Sequence, residues 1–396
     1  MTYHRTAVEM PTLRRYRLDR IQAELKRRDL AGALLTDPVN IRYATDSVNM
    51  QVWALHNQVR FVYIATEGPM ILFDFGKISE ATKQLTLIDE IRPVKATFYF
   101  LAGNRLAEKT GEWADEIVDL VVTHGGGNRR IAVDKLELEG VRALDARRIM
   151  MVDGQELMET ARAIKSAEEI HAMREAIAVC EEGMRRMHAA LEPGVTESYI
   201  WSLLCQANIA LGGEWMEARL LTSGPRTFPW YQEAGSRAIE AGDIVSFDTD
   251  MVGPNGYCAD ISRAWVAGGR KPTPDQAWML DLAREELAHN IAVTKPGMTF
   301  REVAEAAFKM PEKCMEHRYG GIAHGIGMAD EWPPIYHADH YVESGVEGIV
   351  EPGMTLCFES LVGFDGGTES VKLEQQTLVT ETGLELLCDF TLDEAT

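Results

Sequence analysis

Apolar residues recur at Leu18, Ile21, Leu25 and Leu30 within "RLDRIQAELKRRDL", close to the spacing of one helical face, and the chain then enters the short apolar run "AGALLTD". Two more strand-like runs follow, "RFVYIAT" at 60–66 and "PMILFDF" at 69–75. Short strands alternating with helical stretches predict a compact α/β domain here. The texture then changes. "KSAEEIHAMREAIAVCEEGMRRMHAAL" reads as one long amphipathic helix, with Ser166 as N-cap and Glu169 closing a capping box. "PGVTES" and "KPGMTF" place further helix starts near Thr196 and Thr299. "DIVSFDTDMVG", "YCADISRAWVAG", "TLCFESLVGF" and "ESVKLEQQTLVT" read as strands. The expected fold is α+β, with a smaller N-terminal α/β domain over 1–155 and a larger domain over 156–396 whose helices pack on a largely antiparallel sheet.

The length of 396 residues agrees with two domains, each able to bury a core. Forty Lys plus Arg against sixty-one Asp plus Glu give a net charge of −21, which repels nucleic acid and anionic membrane. A small cationic ligand or a peptide suits that charge better. The six cysteines lie far apart without a C-x-x-C pair, as in a protein whose thiols stay reduced. The first twenty residues hold no apolar core of a signal peptide, and no run of about 18 apolar residues occurs. The expectation is a soluble, cytoplasmic protein.

Charge changes the picture most where it interrupts the strands, because Asp and Glu are depleted there and costly to bury unpaired. In "IVSFDTDMV", Asp248 and Asp250 are two apart, so a regular strand would put both on one face with Ser246. The "PNG" connection predicts a hairpin returning Asp260 beside them. Glu359 and Glu374 each sit inside another β-prone run. His324, in "HGIG", can join them. Five carboxylates and one imidazole on neighbouring strands cannot all stay ionised without counter-charge. A two-metal centre resolves this, and its oxygen-rich donor set suits Mn, Fe, Co or Zn. His171, His188 and His289, on predicted helices amid charged residues, read as solvated, whereas His337 and His340 form a candidate pair behind the site. Trp53, Trp230 and Trp332 read as core or pocket wall.

These motifs, in this order, resemble the pita-bread metallopeptidase superfamily of methionine aminopeptidase, aminopeptidase P, prolidase and creatinase. "RLDRIQAELKRRDLAGALLTDPVNIRYATD" is similar to the start of a creatinase/prolidase N-terminal domain, and "ARAIKSAEEIHAMREA" to the linker that follows. "GYCADISRAW", "HGIG", "PGMTLCFES" and "KLEQQTLVTETG" are similar to the ligand-bearing segments of the pita-bread domain. The resemblance implies that Asp260, His324, Glu359 and Glu374 bind metal. The pattern departs at three places. Thr249, flanked by Asp248 and Asp250, stands where peptidases carry their first aspartate. Glu331 and Trp332 replace a second histidine and a glutamate, and Trp230 in "FPWYQ" replaces another active-site histidine.

One branch shares these departures, the DddP-type dimethylsulfoniopropionate lyases, which resemble this chain in "FDTDMVGP", "GYCADISR" and "HGIGMADEWPP". That resemblance implies metal ligation by Asp248, Asp250, Asp260, His324, Glu359 and Glu374, with two divalent ions, iron by preference. It implies Asp330, which the sequence places in a loop with Trp332 and two prolines, as catalytic base, and Tyr319 in the substrate pocket. The implied substrate is a small zwitterion, its carboxylate held by metal and its sulfonium received by Trp230, Trp332 or Trp53 through cation–π contact. The implied reaction is elimination to dimethyl sulfide and acrylate; the alternative is a dinuclear aminopeptidase or prolidase-like hydrolase, and a metal-free binding protein ranks behind both. Creatinase-like relatives are usually homodimers in which one N-terminal domain covers the other subunit's site, a place Trp53 would take.

Overall fold

A computed structural model of the protein describes residues 8–75, 82 and 84–390. They form two compact units, Glu9–Arg162 and the stretch that begins at Ala163. The helix Gly154–Ala163 lies almost wholly in the first unit, where Leu157, Met158 and Ala161 are buried and the Thr160 and Ala161 carbonyls accept hydrogen bonds from Arg20.

The first unit is built on one mixed sheet of β1 (Gly32–Leu35), β2 (Phe61–Ala65), β3 (Met70–Asp74), β4 (Glu90–Pro93), β5 (Arg130–Val133) and β6 (Met150–Asp153), in the order β4-β3-β2-β1-β5-β6. The predicted first helix is Met10–Arg27 and buries Leu18, Ile21 and Leu25, as its periodicity requires. The helix Leu106–His124 places Trp113, Ile117, Leu120 and Val121 in a core shared with Leu34, Phe61, Tyr63 and Ile131.

In the second unit the expected caps are present. Ser166 and Glu169 form a reciprocal capping box at Ala167–Ala189, Thr196 caps Glu197–Ala210, and Thr299 with Glu302 caps Phe300–Ala306. Short strands β7 (Trp215–Met216), β8 (Leu221–Ser223), β9 (Ile244–Phe247), β10 (Met251–Val252), β11 (Cys258–Ala259) and β12 (Arg263–Val266) make two three-stranded sheets, β11-β10-β7 and β12-β9-β8. The longer β13 (Gly321–Ile326), β14 (Asp330–Tyr336), β15 (Thr355–Val362), β16 (Val371–Val379) and β17 (Leu384–Leu386) make an antiparallel sheet in the order β14-β13-β15-β16-β17. The helix Pro274–Val293 contributes Met279, Leu280, Ala283 and Leu287 to the core formed with Leu356, Phe358 and Leu373 of that sheet. No described helix is long and apolar enough to cross a membrane.

Two local readings of the sequence are corrected by the backbone. "IVSFDTDMV" is not one continuous strand. β9 stops at Phe247, β10 resumes at Met251, and Asp250 has a left-handed φ of 35°. Thr249 explains the break: its hydroxyl donates to the Ala259 carbonyl and accepts from the Ile261 N–H, both at 2.9 Å, so a side chain stands in for the missing ladder bonds. The second concerns Asp330, which does not sit in a loop but opens β14. β14 is an edge strand, and there Pro333 and Pro334 remove no interior ladder bond. The predicted hairpin is present: β10 and β11 pair antiparallel around Pro254–Gly256, with Asn255 in the left-handed region.

Candidate active site

The bend at Asp248–Asp250 and the gap between β11 and β12 aim three acids at one another. Asp248, Asp250 and Asp260 each offer an oxygen, all within 4.8 Å. Antiparallel pairing brings in the rest. Glu359 on β15 stands directly opposite Glu374 on β16, and His324 on β13 opposite Cys357 on β15. His324 Nε2 lies 3.2 Å from Glu359 Oε1, 3.5 Å from Asp260 Oδ2 and 3.6 Å from Glu374 Oε1. Its Nδ1 lies 2.9 Å from the Gly325 carbonyl, the geometry of an Nδ1–H donor that leaves the Nε2 lone pair facing the carboxylates. All six residues that the sequence singles out as ligands are thus in one cluster.

Two members of the cluster were missed. Cys357 shares a ligand-distance group with Asp260, His324 and Glu374; its position two residues before Glu359 on the same strand was the available signal. Lys372 is the larger omission. It is 0% exposed, and its Nζ lies 2.5 Å from Glu359 Oε2, 2.8 Å from Ser262 Oγ, 3.0 Å from Glu374 Oε2 and 3.2 Å from Asp248 Oδ2. A lysine two residues before Glu374 on a buried strand faces the same side as that glutamate, so "KLE" carried this signal as well.

Burial first, then the charge of Glu374, holds the Asp248 and Asp260 carboxyls well above the usual carboxylate range. Glu359 is raised by the same two causes, and Asp250 is pushed up to about 7 by burial and then by Asp330. Glu374 goes the other way: burial opposes its charge, yet Lys372 and His324 outweigh it and hold this carboxyl well below the usual range. Burial also opposes the Lys372 charge, but Asp248, Glu359 and Glu374 keep the ammonium protonated.

The donor set fits divalent cations. Asp248 Oδ1, Asp260 Oδ1 and Glu374 Oε1 are buried without a hydrogen-bond partner, a costly state for carboxylate oxygens. One ammonium balances one of five carboxylates. The negative charge that remains is what two divalent ions would balance.

Asp330 stands at the edge of the cluster, its Oδ1 3.8 Å from His324 Nδ1 and its side chain 60% exposed. Its carboxyl is raised by burial, opposed by His324 and reinforced by Glu374 and Glu331; the exposure limits that rise. Tyr319 borders the cluster, its ring 4.9 Å from Lys372 Nζ and 5.9 Å from the Tyr231 ring. Trp230 is buried. Trp332 meets Phe300 edge-on at 5.7 Å and packs on the core. Trp53 belongs to the first unit and packs at 6.0 Å on Phe75. His337 is buried, and its Nε2 lies 3.1 Å from the Tyr319 carbonyl. Burial and then Arg318 lower its pKa to about 4, so it is neutral. His340 is exposed.

Behind β15, Glu286 is 2% exposed and accepts from Ser360 Oγ at 2.6 Å. Burial pushes its pKa up to about 7. An acid raised on folding keeps a proton that the unfolded chain has lost, so its contribution falls as pH rises from about 4.5 to about 7. The loss amounts to about 3 kcal/mol. Denaturant midpoints at pH 5 and pH 8 should therefore differ less in Glu286→Gln than in the native chain; an equal difference would contradict the assignment.

Comparison with known proteins agrees with this geometry. Metallopeptidase family M24 matches residues 171–381, and the Creatinase/Prolidase N-terminal domain matches residues 17–164. The dimethylsulfoniopropionate lyase DddP of Roseovarius nubinhibens is 41% identical over 392 residues, covering 98% of this chain and 88% of that protein. The lyase of the same name from Roseobacter denitrificans is 40% identical over 401 residues, covering 99% and 90%. The solved Xaa-Pro dipeptidase from Bacillus anthracis superposes with a TM-score of 0.76 at 20% identity, over 95% of this chain and 97% of that one, a likeness of fold. The chain belongs to metallopeptidase family M24 and to the family of dimethylsulfoniopropionate lyases DddP.

Proposed function

We propose that this enzyme cleaves dimethylsulfoniopropionate to dimethyl sulfide and acrylate. The observation that carries the reading is 41% identity to a lyase of that name across 98% of the chain. Asp248, Asp250, Asp260, His324, Glu359 and Glu374 would hold two divalent ions, iron by family resemblance, although Mn, Zn and Co suit the same donors. Bound metal supplies Lewis acidity that holds the substrate carboxylate and acidifies the adjacent carbon. Asp330 takes the proton from that carbon. The C–H electron pair becomes the new C=C bond, the C–S bond breaks with its pair going to sulfur, and neutral dimethyl sulfide leaves without an acid.

The residues around the cluster suit this chemistry. Tyr319 and Tyr231, with Trp230 beside Tyr231 in the chain, offer aromatic faces to a sulfonium. Glu331, where the peptidase pattern has histidine, is bound to Lys165 at 2.9 Å. That place therefore lacks the proton-handling group a hydrolase uses. A homodimer in the cytoplasm, with Trp53 covering the partner subunit's site, completes the reading on family resemblance.

Removal of metal tests the assignment of the cluster. Dialysis against chelator should abolish dimethyl sulfide release, and separate additions of Fe(II), Mn(II), Zn(II) and Co(II) should restore it to different extents. Full activity in protein shown metal-free by elemental analysis would contradict it.

A further inference from the structure

The hairpin that carries Asp330 is fastened by a buried ion pair. Lys165 Nζ lies 2.9 Å from Glu331 Oε2, with the two side chains 2% and 1% exposed. The other oxygen, Oε1, accepts the Met328 N–H at 3.0 Å. Glu331 therefore grips the turn from which its own strand begins. Gly327 makes the grip possible, since a Cβ there would fall 2.5 Å from Glu331 Oε2. The turn is tied on its other side too, with the Gly327 carbonyl accepting from Cys258 N–H at 2.7 Å and Gly327 N–H donating to Ala329 at 3.0 Å. Lys165 is itself anchored: its N–H donates to the Gly353 carbonyl, and Gly353 N–H donates to Val379 at the end of β16, both at 2.9 Å. A chain of bonds thus runs from the strand that bears Glu374 to the turn that presents Asp330.

A buried ion pair is a poor source of net stability, because two desolvated charges are often matched by apolar groups of the same size. It does impose a geometry. A base must keep its carboxylate within hydrogen-bond reach of the proton it removes, and a displacement of about 1 Å can cost about 100-fold in rate. We propose that the Lys165–Glu331 pair is a positioning device for the base, holding the 327–329 turn so that the Asp330 carboxylate faces the metal-ligand cluster. This rests on the reading of Asp330 as base.

The test compares Glu331→Gln, Lys165→Arg, the double variant Lys165→Met/Glu331→Leu and Asp330→Asn, each metal-loaded, for kcat, KM, metal content and Tm. Glu331→Gln should lower kcat about 10- to 100-fold with KM and metal content unchanged. Lys165→Arg, which keeps the ion pair, should retain most of kcat. The double variant should regain Tm relative to Glu331→Gln but not kcat, because leucine offers the Met328 N–H no acceptor; it also carries the test if Glu331→Gln does not fold. Native kcat in folded Glu331→Gln, or recovery of kcat together with Tm in the double variant, overturns the proposal. If Asp330→Asn is inactive while Glu331→Gln is fully active, the positioning role alone fails. If Asp330→Asn is active, the base reading fails and the positioning role with it.

Discussion

Asp330→Asn, loaded with metal, is expected to release dimethyl sulfide at least about 1,000-fold more slowly than the native enzyme, within the range a general base contributes. Its metal content should not change, because the residue stands outside the ligand-distance groups. Asparagine preserves the size of the side chain and its ability to accept a hydrogen bond, so the loss isolates basicity from shape. The position favours this role. Asp330 opens an edge strand, its side chain is 60% exposed and so open to a ligand, and its Oδ1 is 3.8 Å from the imidazole of His324. Desolvation raises its carboxyl, His324 opposes that rise and Glu374 and Glu331 add to it, and within the limit that exposure sets this makes it a better proton acceptor than an ordinary surface aspartate. Retention of activity with full metal content would assign the proton transfer elsewhere.

The second large effect is on stability. Lys372→Met should destabilise the chelator-treated protein by about 3–5 kcal/mol, the usual cost of removing one partner from a buried ion pair. Methionine keeps most of the volume and removes only the charge. What it leaves behind is Glu359 directly opposite Glu374 with Asp248 beside them, all buried and without their shared cation. Metal-loaded protein should lose less, since divalent ions then supply the counter-charge. Denaturant titrations of native and variant chains, each with chelator and with metal, measure both differences. An equal loss in the two states would mean that Lys372 fills space without balancing the cluster.

Local signals were legible where a single element carried them. Ser166 with Glu169, Thr196 and Thr299 with Glu302 announce helix starts by side-chain chemistry confined to a few residues. Acids inside apolar runs pointed to Asp248, Asp250, Asp260, Glu359 and Glu374, because burying them demands compensation. What was illegible depends on register between strands. For Lys372 the spacing in "KLE" gives the face it shares with Glu374, but the acids it meets follow from β16 pairing with β15 so that Glu374 stands opposite Glu359. Lys165 and Glu331 are 166 residues apart, and nothing local to either predicts the pair. The break at Thr249 was hidden because its hydroxyl bonds to Ala259 and Ile261, which lie on the far side of a hairpin. Trp332 read as core or pocket wall without a choice between them, and its ring meets Phe300 edge-on.

The central claim is that a peptidase-like cage here performs an elimination. Its most direct test is to give purified, metal-loaded enzyme dimethylsulfoniopropionate, measure dimethyl sulfide in the headspace and acrylate in solution, and assay a proline dipeptide in parallel. The two products should appear in equal amounts, with no dipeptide hydrolysis. Hydrolysis of the dipeptide without release of dimethyl sulfide would contradict it.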